Sequence, residues 1–516
     1  MTDGQLQADQ VELTITMANC RPFVATGLLV ADALEPYEAL RLPRSFAEEL
    51  GKMSTLPPGS SAWRDMRDRL PNTSKAPAGV HGYLEGVLAS PEGGLVAAGW
   101  ALHPADMPIW IEDEFGTVQS LSTAFRRARG DVTAAYAGAP WAEMDCGFIM
   151  YLADVDATAT LRLCAATEDG VVTLSVANRP EALPAAPALA AQRLFGIETE
   201  DHLFHRRVPI VDMPVLGPLI ERRQAELAAL PVTVTDFGDL PSAPAVSIII
   251  PLYRRFDFIE HQLIEFIRDP GLLASAELVY VIDDPDIHAD VMAEVARLHN
   301  LYALPLRLVS GVRNRGFSGA NNLGAAHARG GHLLFMNSDV VPIAPGWLAE
   351  MQAGFDADDV GIVGAQLLFP DGGVQHSGME FRFLDRFGIW SNQHPGAGLP
   401  PDPADATPRT VPAVTGACLL IPRDLFDAVG GWDASYLIGD FEDSHLCLAV
   451  RATGGRIVLQ PRAMLTHLER QSFTGVGGDY FRVRMTIFNG VRHQMRWAEM
   501  LAAPAEVRPV MQRSAA

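Results

Sequence analysis

From Pro244 onward, short buried runs alternate with helix-periodic segments, and this alternation limits the fold more than any other feature of the sequence. VSIIIPLY (246–253) is a continuous apolar run rich in β-branched residues, FIEHQLIEFIRD (258–269) has helical spacing, and AELVYVIDDPD (276–286) is a second buried run. A helix over 286–300, a strand LRLVS (306–310), a helix SGANNLGAAHARG (318–330) and a strand HLLFMNSD (332–339) continue the series. Strand and helix at these spacings form βαβ units, whose crossovers bury a parallel sheet on both faces. Ligands of such sheets bind beyond the carboxyl ends of the strands. Asp283-Asp284 follows the second strand and Asp339 the fourth. Taken singly, each acid reads equally well as a helix or turn start, where carboxylates satisfy free amides. Both emerge at one edge of one sheet, which favours a binding role.

The 516 residues exceed one domain, and the segment before Pro244 has a different texture. GGLVAAGWAL (93–102), PIWIEDEFG (108–116), CGFIMYLADV (146–155) and ATLRLCAATEDGVVTLSVA (159–177) alternate with period two and are broken by Gly, Pro and Asp. This predicts a β-rich N-terminal domain over 1–180 with a sandwich-like core at about 80–180. The aromatics of GWALHP and WIEDEFG are candidates for sugar contact or for the sandwich core. NRPEALPAAPALAAQ (178–192) reads as a linker and LGPLIERRQAELAAL (216–230) as a helix within a 181–243 connector. The α/β unit occupies 244–470, and a helical tail with Arg482, Arg484, Arg492 and Arg496 on polar faces occupies 471–516.

Composition excludes several classes of function. Forty basic residues stand against 62 acidic ones, a net charge of −22, which repels nucleic acid and anionic lipid. Lys52 and Lys75 are the only lysines, so an anion site in the second half must rely on arginine, backbone amides or a metal. The five cysteines form no CxxC pair, which argues for reduced thiols in a cytoplasmic protein. No run approaches the roughly 18 apolar residues of a membrane helix, so any contact with the inner membrane is expected to be peripheral.

The segment RNRGFSGANNLGAAHARGGHLLFMNSD (313–339) breaks local rules. Gly316 and Gly319 permit close backbone approach, and Asn321 and Asn322 sit in a helical pattern at a cost in propensity. With SIIIPLYRR, the aspartates of YVIDDPD, LLFMNSDVVPIAPGWL, VTGACLLIPRDLFDAVGGWDASY (414–436), GDFEDSHLCLAVRATGGRI (439–457) and QPRAMLTH (460–467), it resembles the ordered landmarks of inverting family-2 glycosyltransferases with the GT-A fold. The similarity is closest to the rhamnosyl- or galactofuranosyl-transferase-like branch that decorates bacterial surface glycans, and covers about 244–470.

The resemblance implies an α/β nucleotide-diphospho-sugar transferase domain behind the β-rich front. Its substrates would be a nucleoside-diphosphate sugar and a hydroxyl of a glycan or lipid-linked saccharide. Asp339 stands at the metal-binding carboxylate of the family's DxD motif and His467 at the histidine that completes the site, with Mg²⁺ or Mn²⁺ as the cation. Asn337 replaces the first acid of that motif, removing one formal charge, and Ser338 lies between. Pro251, Tyr253 and Asp283 match positions that hold base and ribose, and Asn314 and Gly316 line the same pocket. Asp443 matches the general base of the ED motif, Glu442 would orient the acceptor, and Trp432 would stack on the acceptor sugar. One base and one displacement imply inversion at the anomeric carbon.

Other readings are weaker. Glu442-Asp443 alone is equally a helix-start acidic pair. A non-catalytic glycan-binding or assembly protein would account for Asn337. A glycosidase leaves the nucleotide landmarks unexplained. A nicotinamide dehydrogenase lacks GxGxxG after the first strand. His493 to Trp497 resembles the QxxRW motif of processive synthases, but histidine replaces its glutamine and pore helices are missing.

Overall fold

A computed structural model of the chain describes residues 50–503, except 51, 54, 142–144, 178, 403 and 469–477. Ahead of them it describes a hairpin of two strands, Gln10–Ile15 and Phe23–Leu28. Cys20 and the last residues, 504–516, lie outside the described residues. Cys146, Cys164, Cys418 and Cys447 are buried free thiols.

The alternating runs of the front segment form two packed five-stranded sheets. One contains Ile109–Glu112, Leu161–Thr167 and Gly170–Ala177; the other contains His81–Ala89, Leu95–Leu102 and Gly147–Leu152. Their inner faces meet through Leu84, Leu95, Phe148, Ile111, Leu161 and Leu163, each worth roughly 1.5–3 kcal/mol on full burial. Trp110, a candidate sugar-binding aromatic, belongs to the core: it is 1% exposed and meets Trp63 edge-on at 5.0 Å.

Where the sequence suggests a linker, the chain is helical and packed. Pro187 opens α1 (Pro187–Phe195) at the position where a missing N–H costs nothing. Behind it run α2 (Asp201–Arg207) and α3 (Met213–Ala228). Ala190, Leu194 and Phe195 bury against sandwich residues such as Val96 and against the C-terminal helix. The stretch reads as a linker because alanine and proline are common in both, and only the tertiary partner separates the two cases.

The central sheet is mixed. Numbered along the chain, its strands are β1 (Val232–Phe237), β2 (Val246–Leu252), β3 (Ala276–Ile282), β4 (Leu306–Gly311), β5 (His332–Met336), β6 (Val340–Pro342), β7 (Val360–Leu368), β8 (Val374–His376), β9 (Cys418–Pro422) and β10 (Arg456–His467). Their order is β1-β4-β3-β2-β5-β9-β7-β10-β6, with β8 on β7. The pairs β4-β3, β3-β2 and β2-β5 are parallel; α4 (Ile259–Ile267) lies between β2 and β3, α5 (His288–Tyr302) between β3 and β4, and α6 (Gly316–His327) between β4 and β5. Both faces are covered: Ile248 and Ile250 enter one core and Ile249 the other. A Cβ at Gly324 would stand 2.4 Å from Ile249 Cγ2, so glycine lets α6 lie close on the sheet.

Antiparallel β9 then reverses the sheet, and α7 (Glu442–Ala452) precedes β10. The described residues of the tail form one helix, α8 (Asp479–Ala502). Arg484 of α8 is not on a polar face: it is fully buried and donates to the carbonyls of Phe195, Ile197 and Thr199. No helix among the described residues is long and apolar enough to cross a membrane.

Candidate active site

The sheet edge gathers the acids by register. Val340 of β6 pairs with His467 at the end of β10, which sets Asp339 Oδ1 3.3 Å from His467 Nε2. The Gln375 side-chain carbonyl, on β8, accepts from His467 Nδ1 at 2.6 Å, and its amide donates to the His467 carbonyl at 3.2 Å. Nδ1 therefore carries a proton, and Nε2 is the ring atom that faces the Asp339 carboxylate. Positive charge must lie between these two atoms, supplied either by a proton on Nε2 or by a cation that the two would share. Among the described residues no cluster of three or more His, Cys, Asp or Glu is disposed to hold a metal.

The turn carrying Asn337, Ser338 and Asp339 is anchored from below. Gln262, fully buried on α4, donates to the carbonyls of Asn337 and Val340 at 3.1 and 2.8 Å and accepts from Tyr280 Oη at 3.1 Å. Asn337 N–H donates to the Ala417 carbonyl at 3.0 Å. This contact leads to the second half of the site, because Ala417 N–H donates to Thr415 Oγ1 and Thr415 Oγ1 donates to Asp443 Oδ2 at 2.9 Å. Thr415 N–H in turn donates to His376 Nε2 at 3.2 Å. Burial keeps that imidazole neutral, its titration pushed well below the usual range. Gln375 and His376 thus hold His467 and Thr415 from one short strand.

Asp443 sits in the first turn of α7 beside Gly416. A Cβ on Gly416 would approach Asp443 Oδ1 and Trp432 Cη2 to 2.6 Å each. Burial raises the titration of both acids, and the charge of Asp443 pushes Glu442 further up. Asp443 is opposed by donors from Gly416 N–H and Thr415, whereas Glu442 Oε2 is buried without a partner. Asp443 is therefore the member that holds a negative charge, and Glu442 favours the protonated state.

The loop before this pair is strained. Ile438, Asp440 and Phe441 have φ of +65, +75 and +74°, a region that non-glycine residues avoid. Asn489 of α8, fully buried, holds it: it accepts from Leu437 N–H at 3.1 Å and donates to the Leu437 and Gly439 carbonyls at 3.0 and 2.6 Å. His493 and Trp497 also brace α7, meeting Ser444 Oγ at 3.1 Å and His445 Nδ1 at 3.2 Å. The partial likeness to a processive-synthase motif is here a packing contact between two helices.

At the carboxyl end of β3, the two aspartates have different partners. Asp284 caps the next turn through Asp286 N–H at 3.0 Å, while Asp283 Oδ1 accepts from Arg315 N–H at 2.7 Å and fixes the loop that carries Asn314 and Gly316. Burial raises the Asp283 carboxyl to about 7. Pro251 lies within β2, paired with Val281 of β3. Tyr253 is half-buried, and the Arg254 guanidinium lies 5.0 Å from its ring centre, covering the face expected for a base. Trp432 departs furthest from expectation. It is 2% exposed, edge-on to Phe317 and Phe335 at 5.3 and 5.2 Å, and offers no face for an acceptor sugar.

Sequence reasoning missed Gln262, Gln375, His376, Thr415, Gly416 and Asn489. Only Gln262 leaves a signal, as a polar residue at a core position of an apolar-periodic helix.

The family model described as "Glycosyltransferase like family 2" matches residues 243–485. An uncharacterized protein, y4gI, of Sinorhizobium fredii is 34% identical over 246 residues, 48% of this chain and 27% of that protein. The O-antigen biosynthesis protein RfbC of Myxococcus xanthus is 35% identical over 159 residues, 30% of this chain and 12% of that protein. The chain thus spans about a quarter and an eighth of the lengths of these relatives. A solved structure, GalNAc-T7 with UDP, GalNAc and Mn²⁺, covers 50% of this chain and 49% of its own at 18% identity, with a TM-score of 0.39. Residues 243–485 thus match a glycosyltransferase family 2-like model and lie on a mixed α/β sheet, preceded by a separate β-rich region.

Proposed function

We propose that the chain is an inverting glycosyltransferase that moves a sugar from a nucleoside-diphosphate donor to a glycan or lipid-linked acceptor hydroxyl, in surface polysaccharide synthesis. The rhamnosyl- or galactofuranosyl-transferase-like branch is the proposed lineage. The observation that carries this reading is the linked geometry of Asp339–His467 and Asp443 through residues 415–417.

Asp443 takes the acceptor hydroxyl proton as the acceptor oxygen forms its bond to the anomeric carbon. The bond from that carbon to the diphosphate oxygen breaks on the opposite face, and the diphosphate leaves with the electron pair. No carboxylate forms a covalent sugar intermediate, so the anomeric configuration inverts. Asp339 and His467 Nε2 would hold Mg²⁺ or Mn²⁺, with donor phosphate oxygens as further ligands, and the cation would neutralise charge developing on the leaving group. Gln375 holds a proton on Nδ1 of His467, so that the neutral ring would present Nε2 for that role. Asp283 and the 314–316 loop frame the nucleoside, and Glu442, in its protonated state, donates to the acceptor.

The test is a panel of nucleoside-diphosphate sugars screened for Mn²⁺-dependent protection against thermal unfolding, followed by turnover and NMR of the product anomer. Asp443→Asn should retain donor protection and lose transfer at least 100-fold. Normal turnover by that variant, or a retained anomer, would overturn the assignment. Absence of protection by every donor would favour a non-catalytic glycan-binding protein.

A further inference from the structure

The N-terminal sandwich contains a cavity of about 400 Å³ that the reaction does not use. Its floor is apolar, formed by Met53, Trp63, Met107 and Leu121, a surface suited to C–H groups rather than to an inorganic ion. Its polar groups are of opposite kinds. Arg126, half-buried at the wall, is a donor only, and among the described residues no carboxylate forms an ion pair with it. His103 is 7% exposed; its Nδ1 donates to the Pro104 carbonyl at 2.7 Å, which leaves Nε2 as a buried acceptor without a partner. Asp106 at the exposed rim is a second acceptor, and the hydroxyls of Ser120 and Ser122, 2.9 Å apart, serve as either.

Each ligand class meets this lining differently. An anion would pair with Arg126 but face Asp106, and an apolar molecule would leave Arg126 and His103 unsatisfied at about 1–3 kcal/mol each. A sugar ring carries hydroxyls that donate and accept at once over apolar C–H faces, and one or two rings match the volume. We propose that this cavity is a saccharide-binding site for an uncharged portion of the glycan on which the α/β domain acts. The role in glycan handling rests on the function proposed above; the binding chemistry rests on the cavity alone. A glycan held here and at Asp443 together would gain effective concentration at the reacting hydroxyl.

The experiment uses the full chain without nucleotide or metal. Saturation-transfer NMR and titration with the methyl glycosides of rhamnose, galactose, glucose, mannose and N-acetylglucosamine should detect binding of at least one. Arg126→Gln should weaken it tenfold or more. Ser122→Trp, a change at an exposed position that blocks the mouth, should do the same with an unchanged melting temperature. Asp443→Asn should bind the glycoside as the parent does. Binding by no glycoside, binding retained in both cavity variants, or displacement by inorganic phosphate would overturn the proposal. Donor protection is measured on the parent chain as well: if it is seen while the parent binds no glycoside, the saccharide site fails and the transferase reading stands; the reverse result separates them the other way.

Discussion

Asn489→Ala tests whether α8 holds the 437–441 loop, which leads to the proposed base Asp443, in a conformation that the loop alone would not keep. The substitution removes three hydrogen bonds at a fully buried position and leaves Leu437 N–H and the Leu437 and Gly439 carbonyls without that partner. Each orphaned group costs about 1–3 kcal/mol, so a rigid loop would lose roughly 3–9 kcal/mol. The loop need not stay rigid. Ile438, Asp440 and Phe441 store about 1–2 kcal/mol each in left-handed φ, and relaxation returns about 3–6 kcal/mol of this. Taking the middle of each range, the net destabilisation should be about 1.5 kcal/mol, read by urea unfolding followed by circular dichroism. Relaxation moves the start of α7, and a displacement of about 1 Å at Asp443 costs on the order of 100-fold in turnover. Donor protection should persist, since Asp283 and Asp339 are anchored by other elements. Turnover within threefold of the parent alongside the expected loss of stability would refute the holding role of Asn489. So would a stability loss below about 0.5 kcal/mol.

Three further outcomes follow from single contacts. Gly416→Ala should cost about 1–3 kcal/mol by overpacking against Asp443 Oδ1 and Trp432, and should abolish transfer while sparing donor protection, as checked by thermal shift and assay. Gln375→Leu frees the His467 ring and should weaken Mn²⁺ affinity 10–100-fold, measured by titration of the metal in the presence of donor. For Asp283, with its carboxyl raised from 3.8 to about 7, the folded state binds the proton more tightly than the unfolded one. Stability therefore falls as pH rises from about 4 to about 7 and is flat above, a change of up to about 4 kcal/mol. Asp283→Asn should remove that part of the slope in urea titrations at pH 4.5–7.5, and a difference from the parent that does not vary with pH would contradict it.

The legible part of the fold lay where local pattern and tertiary fate coincide. The β2 and β3 runs are apolar throughout because both faces are covered, and the helical spacing of 258–269 survives as α4. Asp339 and His467 were legible as a pair only through resemblance, since 127 positions separate them and the β6–β10 register alone joins them. The connector was misread because an alanine-rich stretch acquires its helical fate from Phe195 and Val96 packing behind it. Trp432, placed against the acceptor by resemblance, is a related case: Phe317 and Phe335 arrive from distant segments to enclose it. Gln375, His376 and Asn489 carry no pattern of their own. Their roles consist of hydrogen bonds to groups 39 to 92 residues away, and no window of sequence contains both ends.

Those long-range bonds also explain how a chain with net charge −22 can place Asp339, Glu442 and Asp443 in one site. Two like charges near one another raise each other's titration, and desolvation adds to the effect, so a pair left alone would become neutral and lose its base. At α7 the protein resolves the conflict unequally. Thr415 and Gly416 favour the ionised form of Asp443, whereas Glu442 has its own backbone N–H as donor, keeps Oε2 without a partner, and is left to take the proton. At the other end His467, turned by Gln375, gives Asp339 an imidazole neighbour rather than a third acid. Asn337 contributes in the same sense: an aspartate there would add a charge to a turn whose carbonyl is already committed to Gln262. The loss of one acid from the DxD pattern is thus compatible with an intact site, and it lowers the repulsion that the donor diphosphate must overcome. Asn337→Asp should accordingly raise the Mn²⁺ requirement for donor protection, so that half-maximal protection shifts to higher metal concentration; protection at lower Mn²⁺ than in the parent would show that the added carboxylate serves as a ligand and that repulsion is not the limiting factor.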